Sequence, residues 1–213
     1  MGTDRGSAAR AAIVEQAERL FAEHGILGVS RRDISVAAGQ RNNSAAQYHF
    51  GDRAGLVVAV YEARMSLVDA RRRQRLTELE AEGRLDDVDA LVESLVLPLL
   101  EVVADADGWY GRFLARTRWE PTAWAAVQGL AVADSLRDST RRLWAALDAL
   151  PAPLRRSRLD QLATLVMGTI AGWEGAPDRG EPRLPVPHLA AELVSTGVAL
   201  LTAPVTVVQG ATA

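Results

Sequence analysis

AAGQRNNSAAQYHFGDRAGL, residues Ala37 to Leu56, packs two polar turns and one very short apolar-edged segment between two longer helical stretches. The first turn runs from Gly39 to Asn43. A short helix ending Tyr48-His49-Phe50 follows, and Gly51-Asp52 opens a long amphipathic helix. A helix of about two turns does not hold itself together in water, so it is kept for what it presents. Its loop and first turn carry Gln40, Arg41, Asn42, Asn43, Ser44 and Gln47. These are the side chains that read base edges, Arg on guanine and Asn or Gln on adenine. The pattern is that of a recognition helix, with double-stranded DNA as the expected partner.

Outward from this stretch the chain reads as helix throughout. Upstream, Ile13, Ala17, Leu20 and Phe21 form an apolar stripe on a helix from about Ala8 to His24, closed by Gly25. Ser30-Arg31-Arg32-Asp33 is a capping box that starts a second helix, with Ile34, Ala37 and Ala38 expected inside. Ser44-Ala45-Ala46-Gln47 repeats the box at the third. Downstream, Asp52 caps a fourth helix with a stripe at Leu56, Val60, Ala63 and Leu67, running to about Glu82. Residues 8 to 50 hold too few apolar side chains for a core of their own and must lean on the start of that helix. Further helices are expected over Asp86 to Ala104, kinked at Pro98, over Gly108 to Trp119, and over Trp124 to Leu150. Two more follow, through the stripe Leu159 to Ala171 and over Leu189 to Leu201, with a loop from Gly175 to Pro187 and a frayed tail from residue 204. The expected fold is all-α with about nine helices.

Composition excludes more than it names. The chain has 213 residues, 48% of them apolar, and a formal net charge of −3, so a nucleic-acid site must be a local patch. Cysteine is absent, which removes disulfides, thiolate nucleophiles and cysteine zinc sites together. All 24 basic residues are Arg; without Lys there is no Schiff-base chemistry. His24, His49 and His188 form no ligand-spaced pair, so no metal and no cofactor is expected. Walker A, G-x-G-x-x-G and G-x-S-x-G patterns are all missing, and the reading is of a protein that is not an enzyme. The longest apolar runs are broken by Glu93, Pro98, Glu101, Glu192 and Ser195, and Met1 to Ser7 is polar. Neither a membrane span nor a signal peptide is therefore expected, and the location is read as cytoplasmic.

The amino-terminal fifty or so residues resemble the TetR family of transcriptional regulators. The resemblance rests on Leu20-Phe21-Ala22-Glu23-His24-Gly25, Ser30-Arg31-Arg32-Asp33-Ile34, Ala37-Ala38-Gly39, Tyr48-His49-Phe50 and Asp52-Arg53 before Leu56. It covers about a quarter of the chain. Two departures stand out: the turn Gln40 to Asn43 is one residue longer than usual in the family, and Gln47 stands where tyrosine is common. The resemblance implies a homodimer, a variable carboxy-terminal domain that binds a small-molecule effector, and repression through a near-palindromic operator. The expected division is a helix-turn-helix DNA-binding domain over residues 8–55 and a helical regulatory and dimerisation domain over 56–203. The alternative is a helical small-molecule-binding or interaction protein without DNA-binding activity.

Individual residues carry competing readings. Arg31, Arg32 and Arg53 fall in first turns of helices, against the positive end of the dipole, which suits phosphate; plain solvent exposure is the rival. Gln47 is either a base reader or the second half of the Ser44 capping box. Asn42 and Asn43 are turn formers by default, and Arg41 has no local structural use, which leaves it for direct readout. Tyr48 has a phosphate role or a packing role, and Ser30 and His49 complete the expected DNA-facing set. Trp109, Tyr110, Phe113, Trp119 and Trp124, with Arg116 among them, are either core or the lining of the effector pocket. Leu159, Leu162, Ala163, Val166, Met167 and Ile170, with Leu193, Gly197 and Leu200, are expected by the resemblance at the dimer interface. Gly168 and Gly172 permit a close helix approach, internal or between subunits.

Overall fold

Among the described residues, polar capping residues, glycines and prolines interrupt the apolar stripes where helices end. The computed structural model describes residues 2–40, 45–105, 108–121, 123, 125, 130 and 133–205. Among these there are nine α-helices and no strand: α1 (Gly2–His24), α2 (Arg31–Ala37), α3 (Ala45–Phe50), α4 (Arg53–Ala81), α5 (Val88–Asp105), α6 (Tyr110–Arg118), α7 (Asp134–Ala146), α8 (Ala152–Glu174) and α9 (Val186–Thr202).

The first three helices have their core built largely by α1. Ile13, Ala17 and Phe21 are fully buried, and Gly25 stops the helix with φ 77°, its N–H bonded to the Phe21 carbonyl at 3.0 Å. In α2 the buried residues are Ile34 and Ser35; Ala37, expected inside, is exposed and Ala38 only half-buried. As anticipated, this small unit leans on α4, whose Leu56, Val57 and Val60 are fully buried.

In α4 the expected stripe holds at Leu56 and Val60, both fully buried, and then departs from the inward face. That face runs through Val57, Tyr61, Met65, Val68, Arg72, Leu76 and Leu79, while Ala63 and Leu67 face outward. Reading only aliphatic residues shifted the stripe by about a third of a turn, because a tyrosine and an arginine occupy two inward positions. α4 also runs unbroken across the expected domain boundary at residues 55 and 56.

On the far half of α4 pack α5 and α7, while α8 packs on α6 and α9 packs on α5 and α8. α5 continues through Pro98, which is itself buried. The long helix expected over Trp124 to Leu150 is shorter: Leu130 is not helical and α7 begins at Asp134. Its expected stripe divides in two. Leu143 and Leu147 are buried together with Ser135 and Ser139, whereas Leu136, Thr140 and Trp144 line an interior hollow. Within the expected loop Gly175 to Pro187, Pro177–Arg179 makes one 3₁₀ turn. No described helix is long and apolar enough to cross a membrane.

Candidate nucleic-acid interface and interior cavity

Two helix starts and one short helix are locked together at the amino-terminal end. Ser30 caps α2 with a complete capping box: the Asp33 N–H donates to Ser30 Oγ at 3.2 Å and the Ser30 N–H donates to Asp33 Oδ2 at 3.0 Å. The Ser30 hydroxyl and backbone together hold the Asp33 carboxyl below its usual range. Buried Ser35 on α2 accepts the Ala46 N–H at 3.2 Å, tying the first turn of α3 to α2. Asp52 caps α4 through the Gly55 N–H at 2.8 Å. Gly55 permits this junction, since a Cβ there would stand 2.0 Å from the Phe50 carbonyl oxygen.

Two of the three first-turn arginines have a use that neither phosphate nor solvent accounts for. Arg31 Nη1 donates to the Gly51 carbonyl at 2.7 Å, and Arg53 Nη2 donates to the Val29 carbonyl at 3.1 Å. The start of α2 is thus clasped to the α3–α4 turn, and the start of α4 to the α1–α2 turn. Arg32 is exposed and bonds no described residue. On α3, Ala46 is buried while Gln47 and Tyr48 point outward, Tyr48 being 85% exposed. Tyr48 therefore does not pack its ring into the core; His49 lies edge-on to it at 5.2 Å and is half-buried. Arg41, Asn42, Asn43 and Ser44 lie outside the described residues.

Behind this unit, α6 joins it to the rest of the protein. Trp109 caps α6 with no side-chain bond, and two carboxylates from other helices serve instead. Glu18 of α1 accepts the Trp109 N–H at 3.2 Å and Arg64 Nε at 2.7 Å. Glu174 of α8 accepts the N–H groups of Gly111 at 3.0 Å and Arg112 at 2.8 Å. Burial pushes the Glu174 carboxyl up to about 7, against the lowering effect of those two N–H groups. Neither glutamate was anticipated from sequence. The signal was there: each sits in a core row of its helix, Glu18 four residues after Val14 and Glu174 four after Ile170.

Of the aromatic cluster, Tyr110 and Phe113 are core, while Trp119 is 70% exposed. Phe113 and Tyr110 are at most 1% exposed, stacked on each other at 6.0 Å between centroids, with Tyr61 edge-on to Phe113 at 5.6 Å and Phe21 at 6.4 Å. Trp109 is half-buried under the Arg112 guanidinium at 3.8 Å. These three residues do not line the large cavity, because the rings close the junction of α1, α4 and α6. Arg116 and Trp119 border a different, more open hollow of about 590 Å³ against the α1–α2 turn. Trp124 lies outside the described residues.

The large cavity, about 760 Å³, lies between α4, α5, α6, α7 and α8. Tyr61, Met65, Leu99, Leu114, Leu136 and Trp144 form its apolar wall. Five of the nine residues expected at a dimer interface also border it: Leu159, Leu162, Ala163, Val166 and Met167. Ile170, Leu193 and Gly197 are inside the protomer as well, Gly197 so tightly that a Cβ would stand 2.8 Å from Leu162 Cδ1. Leu200 is half-buried. The cleanest apolar stripe of α8 therefore faces inward, and an added Cβ at Gly168 or Gly172, on another side of the helix, would meet open space.

No protein-family model and no curated protein matches the sequence. Solved structures do. A protein of Shewanella sp. PV-4, described as a candidate tetR family transcription regulator, aligns over 91% of this chain and 95% of its own at 17% identity, with a TM-score of 0.63. A TetR-family transcriptional regulator from Pectobacterium atrosepticum aligns over 93% and 92% at 24% identity with a TM-score of 0.44. NalD, the secondary repressor of the MexAB-OprM multidrug efflux pump in Pseudomonas aeruginosa, aligns over 90% and 96% at 18% identity with a TM-score of 0.46. The Shewanella likeness spans nearly the whole chain, and the fold is the one that the resemblance of the first fifty residues led us to expect.

Proposed function

We propose that this protein is a DNA-binding transcriptional regulator, a ligand-responsive repressor that grips a near-palindromic operator as a homodimer. One observation carries the reading: α3, six residues long, is clamped to α2 from behind while Gln47 and Tyr48 stand outward in solvent. Such a helix contributes little to the core, and its outer face suits the major groove. Arg32 and the amino terminus of α2 serve phosphate beside it, and Arg41, by residue type and position in the chain, serves base readout.

Control runs through α4. Its 29 residues span about 44 Å at 1.5 Å per residue, with Asp52 and Leu56 at the DNA-binding end and Tyr61, Met65 and Arg72 in the cavity wall. A ligand that favours one tilt of α4 shifts operator affinity by its differential affinity for the two states. Pairing is assigned to the outward sides of α8 and α9, where Leu165, Val194 and Val198 are half-buried beside Gly168 and Gly172. The protein then works in the cytoplasm, where the operator is.

Selection of bound fragments from random duplex DNA, followed by anisotropy titration at several salt concentrations, tests the reading. A near-palindromic consensus and an affinity that falls steeply with salt are expected. Binding that is absent at low salt would leave a helical binding protein without DNA activity.

A further inference from the structure

Arg72 heads the fully buried side chains of the described residues by volume, and it stands in the cavity wall. Its placement has a local cause. Pro98 has no N–H, so the Ser94 carbonyl one turn earlier in α5 lacks its helical donor. Arg72 supplies the replacement, Nε donating to Ser94 O at 2.9 Å and Nη2 to Leu95 O at 3.3 Å. A guanidinium has five N–H groups, and Nη1 remains buried with no partner. The Tyr110 hydroxyl, within electrostatic range of Arg72, is buried and unpartnered too. Asp69, nearly one turn back on α4, gives its oxygens to the Ser135 N–H and to Arg73. Arg72 thus has a charge nearby but no carboxylate bonded to it. Burial lowers its pKa to about 10, which leaves it charged at neutral pH.

A buried cation with unspent donors is costly unless an anion meets it. Three of the other arginines in the lining are already paired, Arg118 with Asp160, Arg137 with Asp134 and Arg141 with Asp138, and Arg156 is exposed at the rim, so Arg72 is the buried cation of the lining with an unused donor. We propose that the cavity takes an amphipathic organic monoanion, a carboxylate or sulfonate on an apolar or aromatic body. The head group meets Arg72, and the body lies against Met65, Leu99, Leu136 and Trp144. This names the chemistry of the effector and rests on the ligand-responsive reading above.

The test uses the full chain and a matched pair of dyes, 1-anilinonaphthalene-8-sulfonate and N-phenyl-1-naphthylamine, with the same ring body and with or without charge. Titration followed by dye fluorescence should show the sulfonate bound at least about tenfold more tightly, with decanoate displacing it better than 1-decanol. Ala163→Trp, which fills the cavity, should abolish binding of both dyes. Arg72→Met should bring the two dyes to parity, while Arg156→Gln at the rim should leave the preference in place. Because Arg72→Met also releases two α5 carbonyls, thermal melting of the unaltered protein gives an independent reading: decanoate should raise the midpoint and decanol should not. Equal binding of the two dyes, as when a buried water already satisfies Arg72 and Tyr110, would overturn the anion assignment and leave the cavity reading standing. Failure of both dyes to bind would overturn the cavity reading itself. Loss of the preference in Arg156→Gln but not in Arg72→Met would overturn the role of Arg72.

Discussion

Single buried charges set several of the protein's properties. Glu174 is 2% exposed, and its carboxyl is pushed up to about 7 from an ordinary 4.5. Between those two values the folded state holds a proton that the unfolded chain has released, so stability falls as pH rises through that window and levels above it. The loss should be on the order of 1–3 kcal/mol between pH 5 and 8, read by urea denaturation at a series of pH values. Glu174→Gln should flatten that profile; an unchanged slope would show that the protonation lies elsewhere. The first-turn arginines separate in the same way. Arg53→Ala strips the Val29 carbonyl of its donor and should cost about 1–2 kcal/mol of stability. Arg32→Ala should leave stability within about 0.5 kcal/mol and lower the salt slope of DNA binding by roughly one. Equal effects of the two substitutions on melting would contradict this division.

Helices were legible where their stripes are aliphatic and their ends are capped. Ser30 with Asp33 and Asp52 announce the starts of α2 and α4, Gly39 and Gly51 the stops of α2 and α3, and the structure puts caps and positive-φ glycines there. α4 and α7 were misread in their stripes for one shared reason, and α8 was assigned its place for another. In the first two, a polar or charged residue, Arg72 or Ser139, occupies a core position and bonds a carbonyl or a hydroxyl on another helix. Periodicity counts such residues as solvent-facing, so the inward face seems to lie elsewhere. The stripe of α8 was legible, but the resemblance assigned Leu159 to Met167 to a dimer interface, whereas most of it borders a hollow inside the protomer. The junction of α3 with α4 offers a check at this scale. Gly55→Ala would force a Cβ to within 2.0 Å of the Phe50 carbonyl oxygen, and α3 must shift to relieve it. A loss of at least about 2 kcal/mol is expected, with DNA affinity falling more than the lost stability alone requires. Gly168→Ala, with open space around it, is the control and should be near neutral for folding.

At the scale of the whole molecule, the α2–α3 end and the cavity are connected by a continuous helix, α4, and by α6, which Glu18 and Glu174 hold from either side. On the function proposed above, α3 is the recognition helix of each protomer, and its contact area is small for specific binding, so affinity would come from two copies acting together. Two-fold pairing would place the recognition helices about 34–36 Å apart, one DNA turn, or at a greater spacing on the same face. The row Leu165, Gly168 and Gly172 on α8 is the place to break it, since Leu162, Val166 and Ile170 face the protomer's own interior and their replacement would unfold rather than dissociate. Leu165→Glu should yield a monomer that melts within a few degrees of the unaltered protein, and its operator affinity should fall by at least about 10²-fold. Light scattering at micromolar concentration decides the matter. A monomeric mass for the unaltered protein, or a dimer undisturbed by Leu165→Glu, would remove the outward sides of α8 and α9 from the assembly.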